Sequence, residues 1–469
     1  MKDVKKPFHW GIATSALQTE GAAYLDGKGP SIWDEFSLRK GKIAGGHTPE
    51  IANSFYYRYE EDLDIVQSLH IPNFRFSISW PRVLPQGTRN INQKGIDYYD
   101  RLIDSCLKRD ITPWVTLYHW DLPLQLELNG GWNNRDILSW FSEYVELMLQ
   151  KFGDRVSNWM VLNEPLVFTG AGYFLGIHAP GKKGMNNFLS AAHHASLIQA
   201  AGIRQIKEYS TSFNVGTTYS CSWITPFSDS QNDQQAAVRV DALMNRFFVE
   251  PLLGYGYPIK DLPFLREIEK FYQKDDETLL KASPDFIGIQ NYTREVVKHS
   301  WFTPYINAKL IDARTRQVPH TLLNWEIYPE GIHSLIHKYA AYPEVKNIIV
   351  SENGAAFPDH VTGNEIKDSQ RLSYLKNYML HINRARIDCS KLSGYFVWSL
   401  HDNFEWAEGY YPRFGLVHID YTNQKRTIKE SGYWYKNHIL NQKYEDKIQQ
   451  EHQLFNAREE RQIIFLLFN

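Results

Sequence analysis

Two glutamates stand directly after continuous apolar runs. Glu164 follows Trp159-Met-Val-Leu-Asn163, and Glu352 follows Ile348-Ile-Val-Ser351. Either alone reads as a surface carboxylate at a strand end. Together, each beside an asparagine, they suit cleavage of a glycosidic bond. One carboxyl would protonate the leaving oxygen while the other meets the oxocarbenium-like carbon. The sequence leaves their separation open: about 5 Å would retain configuration and about 6.5–9.5 Å would invert it. Other runs end in side chains that suit a hydroxyl-rich ligand. Gln18, His119, Asn163 and Glu405 can donate and accept hydrogen bonds in several directions. Trp120, Trp398 and Trp406 offer flat faces and indole N–H groups. Arg75 lies inside a second run and Tyr292 just past a sixth. For His119 alone, a satisfied core histidine is the ordinary reading, and its Tyr118-His-Trp-Asp121 context argues for a site. His119 with Asp121 has no partner at zinc-type spacing, so no metal is expected.

The elements that must position these residues are eight strand-like runs: Phe8–Ser15, Phe74–Ser79, Thr112–Tyr118, Ser157–Leu162, Phe213–Ser220, Pro284–Gln290, Asn347–Ser351 and Leu392–Ser399. Several are continuously apolar, as strands covered on both faces should be. Helical periodicity lies between them. Ile96, Tyr99, Ile103, Cys106 and Leu107 share a face over 95–108. Ile137, Phe141, Tyr144, Val145 and Met148 do so over 136–150, with Gly153 as a stop. Strands alternating with helices predict an α/β chain folded as one (β/α)8 barrel, whose strand C-termini converge on one mouth. A minimal barrel needs about 250 residues, so the surplus belongs in long loops, with 170–190 and 293–345 as pocket walls. A doubly wound two-domain reading is weaker, because no Gly-x-Gly-x-x-Gly follows an early strand.

The 469 residues carry 14 Trp, 28 Tyr and 25 Phe, an aromatic fraction that reads as a ring-rich core or as a stacking site for flat ligands such as sugars. A net charge of −2 offers no electrostatic footprint for nucleic acid or an anionic membrane. No apolar run approaches the roughly 18 residues of a spanning helix. The basic start lacks an apolar signal core, and three scattered cysteines make no disulfide framework. A cytoplasmic protein is expected. The barrel is expected over residues 1–443. Residues 444–469 form a tail, dense in charge and Gln before the apolar stretch Ile463–Phe468. Packing of that stretch onto the body is favoured; a patch for homo-oligomer formation is the alternative.

At these residues the chain resembles glycoside hydrolase family 1, the β-glucosidase-type retaining enzymes on a (β/α)8 barrel. The likeness covers roughly residues 7–440 and rests on seven blocks in order. They are Phe8-His-Trp-Gly-Ile-Ala-Thr-Ser-Ala-Leu-Gln-Thr-Glu-Gly21, Asp26-Gly-Lys-Gly-Pro-Ser-Ile-Trp-Asp34, Phe74-Arg-Phe-Ser-Ile-Ser-Trp-Pro-Arg82, Thr116-Leu-Tyr-His-Trp-Asp-Leu-Pro123, Asn163-Glu-Pro165, Ser351-Glu-Asn-Gly354, and Trp398-Ser-Leu-His-Asp-Asn-Phe-Glu-Trp406 with Arg413-Phe-Gly-Leu416. Asn-Glu-Pro alone would be a weak signal.

The resemblance implies that Glu164 is the general acid/base and Glu352 the nucleophile. Arg75 and Tyr292 would hold Glu352 ionised, and burial would keep Glu164 protonated. It assigns Gln18, His119, Asn163, Glu405 and Trp406 to sugar hydroxyls, with Asn163 at the 2-hydroxyl and Trp398 as the stacking floor. Trp120 joins the binding set. Trp325 would be a wall on the aglycone side, and Phe414 part of the pocket around C6. No cofactor is implied; the partner is a small β-glucoside, with β-galactoside or β-fucoside as further candidates. Phosphosugar-cleaving members lack the Glu-Trp pair that stands here as Glu405-Trp406, and thioglucosidases replace the acid by Gln, whereas Glu164 is kept. Transglycosylation at the same site and a catalytically silent sugar-binding protein are the alternatives. Three positions depart from the family pattern: Ser351 for Thr, Gln290-Asn291-Tyr292 for Asn-Tyr-Tyr, and Ser54-Phe55-Tyr56 for Asp-His-Tyr.

Overall fold

A computed structural model describes residues 8–363 and 365–446. Eight parallel strands close into a barrel: β1 (His9–Ala13), β2 (Asn73–Ser77), β3 (Thr112–Tyr118), β4 (Asn158–Asn163), β5 (Asn214–Ser220), β6 (Phe286–Gln290), β7 (Ile348–Asn353) and β8 (Leu392–Trp398). Neighbours in the barrel follow chain order, and β8 closes on β1 with His9 opposite Gly394 and Ala13 opposite Trp398. Each of the eight expected runs matches one of these strands to within two residues at either end, β2 beginning one residue earlier and β4 and β7 ending one and two residues later than expected. The strands are almost wholly buried because helices cover one face and packed side chains fill the other. Inside, Trp114, Met160, Phe286, Ile349 and Phe396 form a plug, with Trp114 edge-on to Phe286 at 5.8 Å and to Phe396 at 5.3 Å. Burying each such side chain contributes about 1.5–3 kcal/mol, so the barrel is a solid floor beneath the mouth.

The helices that set the strands are α1 (Phe55–Ser68), α2 (Gln93–Lys108), α3 (Ile137–Phe152), α4 (Met185–Tyr209), α5 (Glu330–Ala340) and α6 (Ser369–Asp388). On α3 all five expected residues are buried. On α2 the buried face is rotated from expectation: Leu102 is buried and Leu107 is exposed. Gly153 ends α3 without a left-handed turn, at φ −66°. Its lack of a side chain serves close approach instead, since a Cβ there would lie 2.5 Å from the Leu149 carbonyl and 3.1 Å from the Tyr209 ring.

The long loops carry structure of their own. Residues 170–175 form a short π-helical turn, and a small sheet joins Trp223–Pro226, Arg294–His299 and Ala308–Leu310. The unusual Ser54-Phe55-Tyr56 also finds a place. Ser54 takes a left-handed φ of 52° before α1, Phe55 packs 6.2 Å from the His401 ring, and the Tyr56 hydroxyl donates to Asp26 at 2.8 Å. Residues 430–446 are helical and pass the 443/444 boundary, with Arg386 paired to Asp446 at 3.0 Å. The apolar stretch Ile463–Phe468 lies outside the described residues.

Candidate active site

Two of the strand ends are irregular, and they carry the two glutamates. Against β5, the register of β4 shifts between Met160 and Asn163. Against β6, the register of β7 shifts between Val350 and Glu352. Such bulges re-aim the residue that follows. They turn Glu164 and Glu352 into one cavity of about 390 Å³, a size suited to a small ligand. Glu164 also sits in the left-handed region at φ 47°, held there by its N–H donating to the Thr218 carbonyl at 2.9 Å. Trp120 (φ 77°) and Trp406 (φ 50°) share that strained backbone. Such clustering is typical of a functional centre.

Glu352 is gripped on both oxygens. Arg75 Nη1 and Gln290 Nε2 donate to Oε1, the latter at 2.8 Å, and the Tyr292 hydroxyl donates to Oε2 at 2.6 Å. Burial leaves this carboxyl raised on balance, and the Arg75 charge, the Tyr292 hydroxyl and the Arg75 hydrogen bond limit the rise. Glu164 lies opposite, 8% exposed, with no ion pair among the described residues. Burial first, and then the negative charge of Glu352, drive its carboxyl well above the usual range, against a hydrogen bond with Ser220. Two carboxyls of one cavity thus face opposite environments, the arrangement that separates an acid from an ionised partner. Gly354 lets the ends of β7 and β8 approach closely, since a Cβ there would lie 1.9 Å from the Trp398 carbonyl oxygen.

Asn163 links the two sides. Its Oδ1 accepts from Arg75 Nη2 at 2.5 Å, Gln290 at 2.7 Å and Thr218 at 3.0 Å. That leaves Nδ2 to face His119 Nε2 at 3.1 Å. Nε2 therefore accepts, and Nδ1 carries the hydrogen. Burial, followed by the Arg75 charge, holds the His119 ring well below its usual pKa, so it is neutral. Its Nδ1 is a buried donor without a protein partner, on a ring that lines the cavity. Such an atom is costly unless a ligand or water meets it.

Of the remaining expected residues, Trp120, Trp325, Trp398, Glu405, Trp406 and Phe414 line the cavity with His119 and Tyr292. Trp406 packs on Trp120 at 4.3 Å, and Trp325, Phe414 and Tyr292 form a second aromatic group, with Tyr292 5.4 Å from Trp325. Burial first, and then the Glu352 charge, push Glu405 up to about 8. Arg75, Asn163 and Gln18 stand one hydrogen bond behind the lining. Gln18 Nε2 donates to Asn403 at 3.0 Å and reaches Glu405 at 3.4 Å. Asp121 does not line the cavity.

The structure adds residues that the sequence reading left out. Gln290 touches Glu352 and Asn163 at once; its place at the end of the sixth run was the available signal. His178 comes from the expected 170–190 wall, and Ser220, Ser222, Met244, Glu295, Leu323 and Glu408 are among the other lining residues. Among the described residues no Lys or Arg lines the cavity, whereas five glutamates do. An anionic ligand would find no counter-charge there.

Comparison with known proteins agrees with this geometry. The model of glycosyl hydrolase family 1 matches residues 1–444. The chain is 41% identical to β-glucosidase A of Thermotoga maritima, over 95% of this chain and 100% of that one. It is 42% identical to β-glucosidase A of Acetivibrio thermocellus, over 93% and 98%. The structure of the Thermotoga maritima β-glucosidase in complex with glucoimidazole superposes with a TM-score of 0.89, at 40% identity, covering 94% of this chain and 99% of that one. The chain belongs to glycosyl hydrolase family 1 and is a glycoside hydrolase acting on O-glycosyl bonds.

Proposed function

We propose that this member of family 1 is a retaining, exo-acting β-glucosidase that works by double displacement. The observation that carries the reading is the opposed setting of two carboxyls in one cavity: Glu352 under Arg75, Gln290 and Tyr292, and Glu164 buried with no ion pair among the described residues. In the first step Glu352 attacks the anomeric carbon. The bond to the aglycone oxygen breaks, and Glu164 gives that oxygen its proton. The product of this step is a glycosyl ester on Glu352. Esterification removes the negative charge that had raised Glu164, so Glu164 now stays ionised. It then takes a proton from water as the water oxygen attacks the same carbon and expels Glu352. Two inversions return a β-configured sugar.

The sugar would lie on Trp398, with His119 Nδ1–H and Glu405 at its hydroxyls, and Gln18 and the Asn163 amide, one hydrogen bond behind the lining, would turn to join them. A protonated Glu405 can donate as well as accept. The lack of a lining cation supports an unphosphorylated sugar. The names of the relatives favour glucose, and the same hydroxyl partners allow a galactoside or fucoside. Three free, buried cysteines fit a reducing compartment, the cytoplasm. We place the barrel unit at residues 1–443, which the family match over residues 1–444 supports, and assign no role to residues 444–469.

A 2-deoxy-2-fluoroglucoside with a dinitrophenolate leaving group tests the reading. One equivalent should inactivate the protein, and the peptide containing Glu352 should gain the fluoroglucosyl mass. Labelling at another residue, or no labelling by a protein that still cleaves an aryl β-glucoside, would overturn it.

A further inference from the structure

On the outer wall, the helices on either side of β7 in the chain carry a donor set that the glycosidase chemistry does not use. His333 and His337 are one turn apart on α5, and Asp388 is the last residue of α6. His333 Nε2 lies 2.9 Å from Asp388 Oδ2, and His337 Nε2 lies 3.0 Å from Asp388 Oδ1. The two imidazole centroids are 4.5 Å apart, and ligand atoms of all three residues lie within 4.8 Å of one another. Two imidazole nitrogens and a carboxylate oxygen are a donor set for zinc-class divalent ions, and a fourth position open to water completes a tetrahedron.

The distances fit that use. Bonds of about 2.0–2.1 Å to a tetrahedral ion place its ligand atoms roughly 3.3 Å apart. The nitrogen–oxygen separations here, one to each oxygen of Asp388, need to widen by a few tenths of an ångström for an ion held between both oxygens, and the ligand atoms already lie within 4.8 Å of one another. Asp388 and His337 are both about two-fifths exposed, so their side chains can make that adjustment and an ion can enter. Arg384 lies 3.8 Å from Asp388 Oδ2, but its side chain is 70% exposed and can turn to solvent. The other grouping of this kind, Asp359, Asp402 and His418, is different. Lys429, Arg371 and Arg413 already neutralise its carboxylates, so a cation would meet net repulsion.

We propose that His333, His337 and Asp388 form a binding site for a zinc-class divalent ion that clamps α5 to α6. On binding, each histidine presents its Nε2 lone pair and keeps its hydrogen on Nδ1. The site is structural: it ties together the two helices that flank the strand ending in Glu352.

The test uses the full chain, stripped of metal by chelator dialysis and titrated with zinc chloride at pH 7.5 by calorimetry. The wild type should show a saturable site, and His337→Ala and Asp388→Asn should each weaken it by roughly tenfold or more. Zinc at about 100 times its dissociation constant should raise the wild-type melting temperature by about 3 °C. At the same zinc concentration each variant should show about half that rise or less, and turnover of an aryl β-glucoside should be equal in all three proteins. Equal zinc affinity in the wild type and both variants, or a melting shift that survives undiminished in them, would overturn the proposal. So would the absence of saturable binding to the wild type.

Discussion

The end of β4 and the end of β7 are built alike and surrounded differently. Each carries a glutamate just past a register shift, next to an asparagine, buried in the same cavity. Burial raises both carboxyls. At β7, three donors, one of them the fixed Arg75 cation, oppose that rise. At β4, a hydrogen bond with Ser220 and the Arg75 charge oppose it without an ion pair, and the neighbouring Glu352 charge adds to it. Burial alone therefore assigns neither role. The donors around each oxygen do, and the charge on one glutamate sets the proton on the other. The pair acts as one titrating unit.

The harshest way to break this comparison is to remove the β7 carboxylate. Glu352→Ala should lower turnover of aryl β-glucosides by roughly 10⁴-fold or more, as expected for a nucleophile. Added azide should restore part of the rate and give the α-glucosyl azide, because one displacement replaces two. A β-configured azide product would mean that another residue still performs the first displacement. At β4, Glu164→Gln should cost about 10²–10⁴-fold in kcat/KM for substrates whose leaving group needs a proton. Dinitrophenyl glucosides, whose leaving group needs none, should be nearly spared. The sign of the pH effect follows from the state each role requires. Glu164 must hold its proton, so activity falls as pH rises through its raised pKa, and that basic limb should vanish in the variant. A limb that persists in Glu164→Gln would move the acid to another group.

Much of this contrast was legible in the sequence, for identifiable reasons. Continuous apolar runs mark strands covered on both faces, so all eight barrel strands were visible, and their C-terminal ends pointed to one mouth. Glu164, Glu352, His119 and Trp398 were found that way. What escaped depends on backbone detail without periodicity. The bulges that aim both glutamates, and the positive φ of Glu164 and Trp406, leave no hydrophobic pattern. His178 and Glu295 come from loops whose course is set by tertiary contact, and Gln290 looked like a mere departure from a family pattern until its amide was seen to join Asn163 to Glu352. The rotated face of α2 has a similar cause. A 3.6-residue period tolerates neighbouring assignments, and packing chose Leu102 over Leu107.

The finest test of the comparison makes the β7 wall slightly more like the β4 wall. Tyr292→Phe removes one donor from Glu352 Oε2 and leaves Arg75 and Gln290 on Oε1. A hydrogen bond to a charged group is worth about 1.5–3 kcal/mol, so kcat/KM should fall roughly 10- to 100-fold. The lost donor favoured the ionised carboxylate, so its removal raises the pKa of Glu352. Because Glu352 must be ionised to attack, the acid limb of the kcat/KM profile should move to higher pH by about one to two units. The basic limb should move less, since the charge that raises Glu164 is still present above that limb. A profile measured with an aryl β-glucoside separates the two cases. An acid limb that stays in place would show that Arg75 and Gln290 alone keep Glu352 ionised, and that Tyr292 serves only to shape the aromatic wall with Trp325 and Phe414.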